Sequence, residues 1–106
     1  MPDTKPLVIN FSNDIYGSTE WVLHTNSQGE ARYCFECKSL IASVTEKKAQ
    51  SYHWTVFNRS MFMMGIGGGI IAKGRDLSMF LAMHMCMGVL TSFYDLSEIQ
   101  SCSKQS

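Results

Sequence analysis

From Leu77 to Tyr94 the chain runs 18 residues without a formal charge, and a stretch of that length has few places to go in a folded protein. As a helix it carries a line of Met79, Met83, Cys86, Leu90 and Phe93 down one side, at steps of four, three, four and three. Leu77, Phe80, Leu81, His84 and Gly88 form a neighbouring side, while Ala82, Met85 and Val89 make much of the remainder apolar. A helix apolar nearly all round is covered by its own domain, by another subunit or by lipid. Asp76 stands where an N-cap is needed, with a carboxylate to meet the free N–H groups and the positive end of the helix dipole.

Lipid is the weakest of the three covers. Eighteen residues reach about 27 Å, the lower limit for a span, but Ser78, His84, Thr91 and Ser92 dilute the block. The other apolar block, Met61 to Ala72, is 12 residues long, follows Arg59 and contains Gly65, Gly67, Gly68 and Gly69. Each glycine costs a helix about 1 kcal/mol relative to alanine, so a helix there either breaks or is compensated by close packing. Gly65 and Gly69 lie one turn apart and would admit a neighbouring helix through Gly88. Leu81→Asp is accordingly expected to unfold the protein or scatter its oligomer, by burying a charge.

At 106 residues the chain suits one domain, and the expected division is a compact domain over 1–96 with a polar tail over 97–106 that leaves Cys102 exposed. Hydrophobic residues at 45% against 17% charged favour self-association over disorder. The formal net charge is zero, and Lys47-Lys48 is the one adjacent pair among nine scattered Lys and Arg, which argues against nucleic acid as a partner. Met1 to Pro6 lacks the basic and long apolar segments of a secretion signal. Four cysteines at spacings of 3, 49 and 16 do not resemble a disulfide scaffold, so they are expected as reduced thiols in a cytoplasmic protein.

The first half reads as strands. Leu7, Ile9 and Phe11 alternate after Pro6; Ser12-Asn13-Asp14 and Gly17-Ser18 are turn formers. A second strand from Glu20 and a third over Ala31 to Cys37 flank a glycine-containing hairpin loop at Asn26 to Glu30. Leu40 to Val44 suits a helix after Ser39 as well as a strand. The aromatic and β-branched run Tyr52 to Phe57 after the polar turn Glu46 to Gln50 favours a second hairpin. The expected fold class is therefore α+β, an antiparallel sheet of four to five short strands over residues 7–57, packed against C-terminal helical segments over 60–95.

Chemistry-bearing motifs are sparse. Cys34-Phe35-Glu36-Cys37 has the spacing of a zinc knuckle or redox dithiol, but no second pair completes four ligands, and an extended strand points the two thiols to opposite faces. Met79, Met83 and Cys86 are soft donors of the kind Cu(I) prefers, yet the same spacing defines a core seam. The glycine run lacks the Lys-Ser/Thr that follows a Walker loop. No metal, cofactor or catalytic set is assigned. The leading functional expectation is a small non-catalytic interaction protein, a homo-oligomer associating through Met79, Met83, Cys86, Leu90 and Phe93. The alternative is a small-molecule binding protein or enzyme whose pocket gathers His24, Tyr33, Tyr52 and His53. A third reading anchors the chain in a membrane through residues 77–94.

Overall fold

The computed structural model describes residues 7–25, 27–48, 50–65 and 67–103. Six strands, β1 (Leu7–Asn13), β2 (Gly17–Thr25), β3 (Ala31–Cys37), β4 (Leu40–Lys48), β5 (Ser51–Asn58) and β6 (Ile70–Asp76), form one antiparallel sheet. Each pairs with its neighbour in sequence, in the order β1-β2-β3-β4-β5-β6. Helices α1 (Arg59–Met63), α2 (Met79–Thr91) and α3 (Leu96–Cys102) complete an α+β fold. Local turn chemistry sets the meander. Asn13 Oδ1 accepts from the Ile15 N–H at 2.7 Å at the β1–β2 turn, and Lys38 and Gln50 take left-handed φ values of 56° and 62° in the next tight turns.

The sixth strand lies within 60–95, where only helical segments are expected, and it decides the alternative left open at the glycines. α1 stops at Met63, and Gly65, Gly68 and Gly69 take φ of 72°, 66° and 71°, a region side chains resist and glycine enters freely. The run thus breaks the helix, and Ile70-Ile71-Ala72 enters β6. Gly88 meets Tyr16 instead of a second helix: a Cβ there would lie 3.4 Å from the Tyr16 Oη.

Asp76 is not the cap of α2. It ends β6, where its Oδ2 accepts from Trp54 Nε1 at 3.0 Å. Ser78 caps instead, in extended conformation, accepting from the Leu81 N–H at 3.1 Å. Two extra residues of extended chain were needed to carry the backbone from the sheet edge onto its face.

One sheet face is covered. Leu40, Ala42 and Val44 of β4 and Trp54 and Val56 of β5 are buried with Ala82, Met83, Cys86, Met87 and Leu90 of α2. α3 packs over β2 and β3, with Ile99 fully buried. Residues 97–102 are therefore not a frayed tail; residues 104–106 lie outside the described residues. Cys102 is joined to Cys37 in a disulfide across 65 residues of chain. This overturns the expectation of four reduced thiols, because spacing along the chain cannot show that α3 returns to the end of β3. Cys34 and Cys86 remain free.

Candidate functional site

Strand register assigns every sheet residue to one face, and it separates the expected ligand set. Leu23 pairs with Tyr33, Tyr33 with Val44, and Val44 with Trp54. Tyr33 and Tyr52 therefore share the helix-covered face and pack against the core. The loss of hydration and the Glu46 carboxylate push the Tyr52 phenol above its ordinary pKa. His24 and His53 sit on the opposite, open face. Between them lie β3 and β4, so the imidazoles stand about 14 Å apart at the usual strand spacing. The four residues do not form one pocket.

What the register does bring together is a row across the open face. His24 pairs with Arg32, Arg32 with Thr45, Thr45 with His53, and His53 with Arg75. All but Thr45 are exposed. Beside the first three members, His24, Glu30, Arg32, Thr45 and Lys47 line an open cleft of about 450 Å³. Sequence reading missed Arg32, Lys47 and Arg75 because they are far apart in the chain, at 32, 47 and 75. Only pairing makes them neighbours.

The line expected as an association seam is mostly core. Met83, Cys86 and Leu90 are buried against this chain's own sheet and Met79 is half-buried there, so that line is core and is not available to a second subunit. Phe93 lies past the end of α2, 53% exposed. The 4-3-4 steps from Met79 to Leu90 mark the inward face, the last step to Phe93 runs past the helix, and the spacing says nothing about the outward face. The outward face carries Leu77, Phe80, Leu81 and Met85 at 72, 50, 45 and 45% exposure. Phe80 leans on Phe11, ring centroids 5.1 Å apart. His84, next to this stripe, is tied to the β1–β2 turn: its Nδ1 lies 3.4 Å from Asn13 Nδ2 and its ring meets Tyr16 edge-on. Leu81 being half-exposed, a charge there is not buried by the fold.

Metal and thiol chemistry find little here. Among the described residues no group of three or more His, Cys, Asp and Glu is arranged to hold a metal ion. Cys37 is spent in the disulfide and unavailable to a Cys34–Cys37 site. Burial pushes the Cys86 thiol far above its ordinary pKa, so it stays protonated and is a poor thiolate donor for copper beside Met79 and Met83. Among the described residues no helix is long and apolar enough to cross a membrane, α2 having 13 residues. No protein family, curated protein or solved structure matches this chain.

Proposed function

We propose that this chain is a small non-catalytic interaction protein whose first partner is a second copy of itself, docked on the outward face of α2. The supporting observation is the exposed apolar patch of Leu81 and Met85, flanked by Phe80 and by Leu77 just before the helix, on the outer side of a helix whose opposite side already fills the core. Leu81 and Met85 lie one helical turn apart on α2, so two helices crossing antiparallel between them place each Leu81 against the other copy's Met85, with Leu77, just before the N-cap Ser78, at the edge of the patch. Such self-complementarity is what a twofold interface requires. The patch itself carries no formal charge, and the nearest charged groups, Arg75 and Asp76, border it beside Leu77 and Leu81.

The exposed apolar area is on the order of a few hundred Å² per copy, below the roughly 800 Å² per partner of a standard stable interface. Association is therefore weak, with Kd in the micromolar range or above. Sedimentation equilibrium up to about 500 µM is expected to show a monomer–dimer equilibrium that Leu81→Glu abolishes while the thermal midpoint stays put. A wild-type chain that remains monomeric throughout, or a Leu81→Glu chain that still dimerises, defeats this reading.

A cytoplasmic location goes with this reading where Cys37 and Cys102 are reduced in the cell, because disulfides persist mainly in oxidising compartments. Acid quenching of intact cells, followed by denaturation in excess alkylating reagent without reductant, labels all four cysteines of the chain in that case. It labels just Cys34 and Cys86 where the disulfide found here is kept.

A further inference from the structure

On the open sheet face two arginines stand without a carboxylate as cross-strand partner. His24 stands directly opposite Arg32, and His53 directly opposite Arg75. Opposite charges directly across strands stabilise a sheet, and neither Arg32 nor Arg75 has one across from it. Elsewhere the chain does give its cations carboxylate partners: Arg59 pairs with Glu36 and Lys38 with Glu98. Among the described residues no carboxylate forms an ion pair with Arg32, Lys47 or Arg75. A chain of zero net charge has thus gathered Arg32, Lys47, Lys73 and Arg75 at one end of one face.

The cleft of about 450 Å³ at that end falls in the size range of small-molecule sites. Arg32 offers it a planar fork of donors, Lys47 an ammonium, His24 a ring nitrogen and Thr45 a hydroxyl. Glu30 is the one carboxylate in its lining and already has an interaction of its own. A guanidinium fork with an ammonium and a hydroxyl beside it matches the several oxygens and double charge of a phosphoryl group.

We infer that the cleft of His24, Arg32, Thr45 and Lys47 binds a small phosphate-bearing ligand, whose phosphoryl oxygens accept hydrogen bonds from these four side chains. A nucleic acid strand is a poorer fit. Sheets that bind single strands stack bases on exposed aromatic rings, whereas Trp21, Tyr33, Phe35, Tyr52 and Trp54 all face the helices here. Phe57 is the aromatic of the open face, four residues along β5 from His53.

Isothermal titration with inorganic pyrophosphate, at a fixed ionic strength of about 0.15 M, tests the site on the whole chain. Saturable binding with one pyrophosphate per chain is expected. Arg32→Gln should weaken it about tenfold, as loss of a hydrogen-bonded charge does, and Lys47→Gln should do likewise should the first variant fail to fold. Arg75→Gln removes the same charge three strand spacings away, about 14 Å, and should change affinity less than about twofold. Absence of saturable binding overturns the site. Equal losses in Arg32→Gln and Arg75→Gln also overturn it, showing a diffuse cationic field. An oligoglutamate peptide that binds where pyrophosphate does not overturns the ligand class.

Discussion

Trp54 shows how one residue can decide where an edge strand lies. Its indole covers Gly74, directly opposite on β6, so closely that a Cβ built on the glycine would sit 2.6 Å from the ring's Cζ2. The same indole donates Nε1–H to Asp76 two residues on. A glycine in a strand usually weakens it; here it makes room for a large buried ring and lets that ring bond the strand that covers it. Gly74→Val is expected to destabilise by about 1–3 kcal/mol, the usual cost of overpacking. In a domain of this size that lowers the thermal midpoint by about 4–8 °C for each kcal/mol. Calorimetry on the variant checks it, and an unchanged midpoint would mean that Trp54 does not depend on the glycine. None of this was readable from Lys73-Gly74-Arg75-Asp76, which by composition is a linker between apolar blocks. Asp76 likewise carries the chemistry of a helix cap, and loses that role because the strand partner reaches it first.

At the scale of the element, α3 is the piece least expected and most firmly fastened. Ile99 is buried, Cys102 bonds Cys37, and Ser103 Oγ accepts from the Glu20 N–H at 3.1 Å. Near the β3–β4 turn, Lys38 Nζ lies 2.7 Å from Glu98 Oε2 and 5.0 Å from the centroid of the Tyr94 ring. Closing 65 residues of chain stabilises by about 4 kcal/mol in the loop-entropy account. Cys102→Ser should lose about that much in a denaturant titration under oxidising conditions, and nothing beyond what a reductant costs the wild type. A variant as stable as the oxidised protein would show that the disulfide contributes nothing. The ion pair adds a pH signature. Its hydrogen bond to Lys38 holds the Glu98 carboxyl below its ordinary range, and the same bond raises Lys38. The carboxylate's contribution is full above its unfolded pKa of about 4.3 and fades as pH falls through the lowered folded value; the ammonium's is full below about 10.4 and fades as pH rises through the raised one. Glu98→Gln should therefore remove a small stabilisation at neutral pH and none at pH 2, a difference chemical denaturation at the two pH values would read. The strands, by contrast, were legible as elements. Alternation, turn formers and β-branched runs marked β1 to β5, since those signals act within a few residues. The polar composition of Ser97 to Ser106 hid α3, whose helix depends on two residues, Ile99 and Cys102, meeting distant strands.

Across the whole molecule the sheet divides two surfaces that the sequence could only mix. A period of two told which residues share a face within a strand, but matching faces between strands needs register. That is why His24 and His53 share the open face while Tyr33 and Tyr52, expected in the same pocket, face the helices. The same ambiguity put the association seam on the buried line of α2, because an uncharged helix gives composition no means of telling its inner from its outer face. With register known, the proposed dimer surface at Leu81 and the proposed phosphate cleft at Arg32 lie on opposite sides of the sheet, separated by a strand layer and a helix whose axis stands about 10 Å away. Sites that far apart, sharing no side chain, perturb each other by no more than about 0.5 kcal/mol. Leu81→Glu should thus leave pyrophosphate affinity within about twofold, and Arg32→Gln should leave the dimer constant equally unmoved. The two titrations repeated on the double variant check this. Should either single variant shift the other site by more than about tenfold, the sheet would be transmitting a conformational change between its faces. The split between a rigid core and two independent surfaces would then have to be given up.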